Sequence, residues 1–235
     1  MLNYKAWGTK SVSGVSFKSM QLYVVVFICR LSSIFRHQGY LPFDKSGDWL
    51  YHCIEVLSLL GVGLVCYAIF GPLLSTYDEN LDRFGNFYIP GELGAIYVLV
   101  PCVVIAVFFH PSLNHEFFSD FVWATSMYVE ALAMAPQLYM FQKQAGERGI
   151  KLDAWLGHTV FAVAFSRLFE LIFWVGSFKE LSTHHTGSTV SAYLVLLSQV
   201  LQMAIMADFF YYYVVSLSQG KDVEIKPVSY ASDFV

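Results

Sequence analysis

The sequence predicts an all-α integral membrane protein: a six-helix bundle forming a single transmembrane domain over residues 1–235. Three observations predict it. Only 14% of the residues are charged, against about 25% in an ordinary soluble domain. The mean hydropathy is +0.52, with 56% hydrophobic and 17% aromatic residues. The apolar residues gather into six runs with the charges pushed between them, the pattern of a chain whose solvent is lipid. The net charge of −4 leaves no basic surface for nucleic acid.

The elements follow in order. Residues 1–19 are polar and lack the apolar core of a cleavable signal peptide, so they are expected to be a cytosolic N-terminal segment. The six spans are expected from Met20 to Phe35, His52 to Leu73, Leu93 to Phe109, Phe117 to Phe141, Ala154 to Phe178 and Val190 to Leu217. Each must be helical, because lipid offers no hydrogen bonds to an open backbone. Pro101 and Pro136 fall inside spans, where a proline kinks a helix or marks a contact between helices. Residues 218–235 are expected to be a cytosolic tail. Lys5, Lys10, Lys18, Arg83, Lys143, Arg148, Lys151, Lys221 and Lys226 fall on one side, and Arg36, Lys45 and Lys179 on the other. The positive-inside rule therefore places both termini in the cytosol. Cys29, Cys53, Cys66 and Cys102 lie in or beside apolar runs without a CxxC spacing, and read as buried, inert packing residues.

An ionisable side chain in a span is a functional candidate by default. Arg30, Asp120, Glu130, Arg167, Glu170 and Asp208 qualify. Asp120, Trp123, Met127 and Glu130 share one helical face, as do Arg167, Glu170 and Trp174. Phe27-x-x-Arg30-Leu31 is echoed by Phe165-x-Arg167-Leu168, an internal repeat that puts both arginines in mid-membrane. Two readings stay open. The charges neutralise one another structurally: Arg167 with Glu170, Glu130 with Arg30 or Arg167. Alternatively, two buried arginines outnumber the well-placed carboxylates, and a guanidinium then grips the carboxylate of a ligand in bidentate fashion. His110, His115 and Glu116, and the pair His184 and His185, have no recognised metal-ligand spacing and are expected to lie on a surface. No metal site, nucleophile–base pair, phosphate loop or cofactor motif stands out, so the chain is not expected to be an enzyme.

Five strings, in order, resemble the ER-retention (Lys-Asp-Glu-Leu) receptors: Gly14-Val15-Ser16-Phe17-Lys18-Ser19, Val25-Val26-Phe27 leading to Arg30, Thr76-Tyr77-Asp78-Glu79-Asn80, Tyr128-Val129-Glu130 running to Ala135-Pro136-Gln137-Leu138, and Asp208-Phe209-Phe210-Tyr211. The resemblance runs from about residue 5 to residue 221. It implies a fold similar to the seven-helix PQ-loop and SWEET proteins, two parallel triple-helix repeats joined by a linker helix, with the first helix expected to be absent here. It implies binding of the C-terminal tetrapeptide of soluble ER proteins in the Golgi and their return to the ER, and a multi-pass place in the ER and cis-Golgi membranes. A transporter of a small anionic or amino-acid solute is the alternative. By resemblance Arg30 matches the arginine that holds the ligand's terminal carboxylate, and Arg167 and Glu130 match its neighbours. Asp120 and Trp174 match positions that contact the first residue of the signal. Ser33, Ser166, Glu170, Phe173 and Ser177 stand where the family has an aspartate, two tyrosines, an asparagine and an arginine. Ser216 and Gln219 stand where it has lysines that recruit the COPI coat, leaving Lys221. The implied partners are retention signals, that coat and membrane lipid.

Overall fold

The computed structural model describes residues 1–37, 48–87, 93–113, 116–148, 153–179 and 189–220, and among these there is no β-strand. The described residues form seven α-helices in chain order: α1 (Phe17–Ile34), α2 (Asp48–Phe70), α3 (Ile96–Phe108), α4 (Phe117–Ala133), α5 (Ala135–Arg148), α6 (Ala154–Gly176) and α7 (Thr189–Ser218). The expected positions His115, His184, His185, Lys45, Lys151, Lys221 and Lys226 lie outside the described residues.

Among the described residues, four helices are long and apolar enough to cross a membrane: Phe17–Ile34, Trp49–Phe70, Ala154–Gly176 and Thr189–Ser218. Their outward faces are oily. Leu57, Leu60, Leu64 and Tyr67 line one side of α2 and are all at least half exposed. A soluble protein would pay heavily for such a stripe, but in lipid it is the solvated face. Helix α3 is apolar throughout but has 13 residues, about 20 Å of helix at 1.5 Å per residue.

The expected fourth span, Phe117 to Phe141, is corrected: it is two helices that meet at Met134. The cause is Pro136. It has no N–H to bond back into α4, and its ring collides with the carbonyl one turn earlier. A proline is tolerated in the first turn of a helix, and Pro136 is the second residue of α5. Hydropathy alone reads straight through the break, because Ala133, Met134 and Ala135 are all apolar.

Helix α4 is the centre of the bundle. It packs on α1, α3 and α7, while α1 also packs on α2 and α6 on α7. Most of its residues are buried, Asp120 and Glu130 among them. The break after α4 also exposes backbone donors, and the surrounding segments take them up. The N–H of Gln137 donates to Ser19 Oγ at 3.0 Å. Its side chain accepts from the Ser16 N–H at 2.9 Å and donates to the Gly14 carbonyl at 2.7 Å. Gly14 holds a φ of +76°, which suits a residue without Cβ.

The same corner is capped by Asp82. Its carboxylate accepts from Ser16 Oγ at 2.9 Å, from the Phe17 N–H at 2.8 Å and from Tyr77 Oη at 2.8 Å. An anion at the N-terminus of α1 satisfies free amides and faces the positive end of the helix dipole. Burial, followed by the Asp82 charge, pushes the Tyr77 phenol well above its ordinary range. Asp78 accepts from the Gly14 N–H at 3.2 Å and Thr76 from the Val12 N–H at 3.0 Å. Three of the strings that carried the resemblance thus meet in space and staple one end of the bundle.

Residues 4–8 belong to the segment expected to be a polar tail. They form a short π-helix that packs on the bundle. Asn3 donates to the Gly61 carbonyl in α2 at 3.0 Å, and the Tyr4 ring lies 4.6 Å from that of Trp155. Lys5 is buried and reaches Asp153 at 3.4 Å. Burial pushes its ammonium below the ordinary lysine value, against the pull of Asp153. The four cysteines are free, but only Cys102 is buried; Cys53 is exposed and the other two are half-buried, which corrects the expectation of four buried thiols.

Candidate functional site

Four of the six charged candidates converge in the middle of the bundle. Arg30 comes from α1, Glu130 from α4, and Arg167 and Glu170 from adjacent turns of α6. Glu130 is 1% exposed and touches both guanidiniums: Arg30 Nη2 directly, and Arg167 Nη2 at 2.7 Å. Glu170 pairs with Arg167 three residues earlier on its own helix and lies 3.7 Å from Arg30 Nη2. Both structural pairings left open by the sequence therefore form together.

A fifth charge joins them. Glu55, from the first two turns of α2, lies 3.4 Å from Arg30 Nη1. Sequence reasoning missed it, although it meets the criterion that selected the others: an acid inside the second apolar run. It lies near the start of that run, three residues after His52. The expectation that arginines outnumber well-placed carboxylates is accordingly corrected. Among the described residues, two guanidiniums face three carboxylates. With all five ionised, the cluster carries a net charge of −1.

Neutral groups complete the shell. Gln199 of α7 approaches Glu170 Oε1 at 3.5 Å, and Gln202 donates to the Glu130 carbonyl at 3.2 Å. Tyr23, buried on α1, lies beside Arg167 and Glu130. Such a shell is what allows several charges to persist away from water, since each must find partners in every direction.

A cavity of about 170 Å³ opens beside the cluster, lined by Arg30, Met127, Glu170, Phe173 and Trp174. At about 30 Å³ per water it holds roughly six water molecules, enough for one terminal residue of a chain. Phe173 is 40% exposed. Trp174 is buried and packs edge-on against Trp123, with ring centroids 5.5 Å apart. Asp120 is buried on the same α4 face, about 15 Å along the axis from Glu130, and it does not line the cavity. Asp208 is exposed on the outer face of α7 and belongs to neither. A larger void of about 400 Å³ between α6 and α7, lined by Leu168, Met206, Phe210 and Val214 among others, has no charged side chain on its walls.

At the end of the bundle away from the stapled corner, exposed pairs hold the rim. Glu116 accepts from Arg36 Nη1 at 2.9 Å and lies 2.7 Å from His37 Nε2. Its carboxyl is held below the ordinary value, first by His37 and then by Ser119. His110, grouped with Glu116 in the sequence, instead stacks edge-on against Phe117. Among the described residues no three His, Cys, Asp or Glu side chains are placed to hold a metal ion.

Comparison with known proteins adds an independent line. The ER lumen protein retaining receptor family matches residues 11–177, more than two thirds of the chain. The ER lumen protein-retaining receptor of Drosophila melanogaster is 27% identical over 96% of this chain and 91% of its own length. Receptor A of Arabidopsis thaliana is 28% identical over 92% of this chain and 87% of its own length. The erd-2.1 receptor of Caenorhabditis elegans is 25% identical over 94% of this chain and 88% of its own. The transporter alternative finds no support among these matches. The matched region holds both half-buried arginines, the central glutamate between them and the stapled corner, and with that the chain belongs to the ER lumen protein retaining receptor family.

Proposed function

We propose that the protein is a membrane receptor that binds the C-terminal retention tetrapeptide of soluble ER proteins and returns them from the Golgi to the ER. The observation that carries this reading is Arg30. It is a guanidinium on the wall of a cavity the size of one terminal residue, inside a chain of the retention-receptor family. Arginine presents parallel donors that match a carboxylate, and a C-terminal carboxylate is the one group every such signal shares.

In this reading the ligand's carboxylate enters beside Phe173 and meets Arg30. The longest of that arginine's charged contacts, 3.7 Å to Glu170, is the one to yield. Glu130 stays in place between the two guanidiniums and holds them aimed. Trp174 packs against the body of the peptide, and Asp120 and Trp123 lie farther along α4, where the first residue of the signal would reach. The bundle follows the PQ-loop plan, with both termini in the cytosol, the stapled corner on the cytosolic side and the cavity open to the lumen. The protein sits in ER and cis-Golgi membranes, and a coat would read its cytosolic tail.

The test is binding of one retention peptide to the purified chain, as the free acid and as the C-terminal amide. Binding by the acid with loss of at least about tenfold on amidation, about 1.4 kcal/mol, is expected. Equal binding of both forms refutes the carboxylate role.

A further inference from the structure

We infer that residues 3–7 form a clasp that positions α6, and with it the wall of the cavity, and that Lys5 is the residue through which the clasp acts. The inference rests on the receptor reading above and deepens it. Helix α2 packs chiefly on α1, and α6 chiefly on α7. The clasp touches both α2 and α6. Residues four apart in a helical turn share a face, and Asn3 and Trp7 face α2. Asn3 donates to the Gly61 carbonyl at 3.0 Å, and the Trp7 ring stacks on that of Tyr67 with centroids 6.2 Å apart. Tyr4 and Lys5 face α6: the Tyr4 ring meets Trp155, and Lys5 reaches Asp153 at 3.4 Å.

Lys5 sets the register. It is 2% exposed, and an ammonium kept from water is tolerated only where an anion meets it. Asp153 is that anion, with the Asp78 charge adding to the pull. A clasp that served only to adhere would be apolar throughout, whereas a buried charge fits one position and is costly in any other. Asp153 is in turn the N-cap of α6, where its carboxylate accepts from the Leu156 N–H at 3.1 Å. The pull therefore lands on the first turn of the helix, with no loop between. Helix α6 runs unbroken from Ala154 to Gly176 and supplies Glu170, Phe173 and Trp174 to the cavity wall. Glu170 stands fifteen residues beyond Trp155, about 22 Å along the axis. A lean of about 5° at the foot of such a rod moves the wall by about 2 Å. A misplacement of that size in a binding group costs on the order of tenfold in affinity.

The experiment uses the full-length purified chain and a free-acid peptide ending in Lys-Asp-Glu-Leu, at one fixed pH. Lys5→Met keeps the length of the side chain and removes its charge, and Lys5→Arg keeps the charge. Lys5→Met is expected to weaken peptide binding at least about fivefold. Its melting temperature should be unchanged or raised, because an apolar group replaces a buried ammonium and the 42% exposed Asp153 turns to water. Lys5→Arg should bind within about twofold of the unmodified chain. Amide exchange gives a reading that needs no ligand: without peptide, residues 167–174 of α6 should exchange at least about threefold faster in Lys5→Met than in the unmodified chain. The inference is overturned if a folded Lys5→Met variant binds as tightly as the unmodified chain, if its loss of affinity only tracks a fall in melting temperature, or if its α6 exchange is unchanged. Should Lys5→Met not fold, Trp7→Leu, which loosens the α2 side and spares the ion pair, is held to the same outcomes. If the unmodified chain binds no peptide, the receptor reading fails, and the exchange comparison still decides whether the clasp positions α6.

Discussion

Removing the central acid of the cluster should hurt less than removing either base. The usual expectation for a buried ion pair is that deleting one partner strands the other at a cost of about 3–5 kcal/mol. Here the balance starts at three carboxylates against two guanidiniums. Glu130→Gln leaves two against two. Arg30 keeps Glu55 and Glu170, Arg167 keeps Glu170, and the amide still accepts from one guanidinium. The loss is the difference between a charge-assisted and a neutral hydrogen bond, about 1–2 kcal/mol. Arg167→Ala leaves three carboxylates around Arg30 alone and should cost the full 3–5 kcal/mol or so. In the double variant one of the stranded carboxylates has been neutralised, so its loss should fall short of the sum of the singles by roughly 1–2 kcal/mol. The assay is thermal unfolding of the purified chain in detergent, followed by tryptophan fluorescence. A Glu130→Gln variant less stable than Arg167→Ala, or strict additivity in the double, would refute the surplus-charge account.

Other outcomes follow from particular contacts. Arg30→Lys should weaken free-acid peptide binding almost as far as Arg30→Ala, because an ammonium cannot present two parallel donors; titration of the two variants with one peptide compares them. Asp82→Asn keeps the shape of the corner but removes the charge that accepts from Ser16, Phe17 and Tyr77, and it should lower stability by about 2–3 kcal/mol in the same melt. Glu116 has its carboxyl lowered from 4.5 by His37 first. A carboxyl lowered in the folded state adds stability fully present above its unfolded value, and this is lost as pH falls through the folded value. Melting measured down through mildly to strongly acidic pH should therefore lose a contribution that Glu116→Gln lacks, and added salt should shrink it.

How much of this was readable in advance varies with the kind of information needed. The long helices came through within a few residues, since α6 and α7 are continuous apolar runs and Asp153 caps α6 through the Leu156 N–H. Hydropathy read through the break at Met134, because it is blind to a missing N–H; Pro136 marked the place and a kink was expected there, and the structure turns that kink into a division between two helices. Arg30, Glu130 and Arg167 could be nominated singly from the cost of a charge in lipid. The Arg167–Glu170 pair was legible too, from its spacing of three on one helix, but the charge balance was not, because it depends on Glu55 arriving from α2 at the same point. Nothing in the sequence marks Asp82 as the cap of α1, because that role is purely tertiary.

The unequal ends of the bundle have a kinetic consequence. One end is pinned by buried bonds among Ser16, Asp82 and Gln137, whose rupture would cost several of them at once. The other is latched by the solvent-facing Arg36, His37 and Glu116, which exchange with water readily. On the receptor reading proposed above, a vessel with one rigid floor and one soft rim would fill and empty at the soft end, and arrival and departure would cross one shared barrier, so a change at the rim would speed or slow both in equal measure. Residence time would then be adjustable there without any change in affinity, which would be set on the cavity wall.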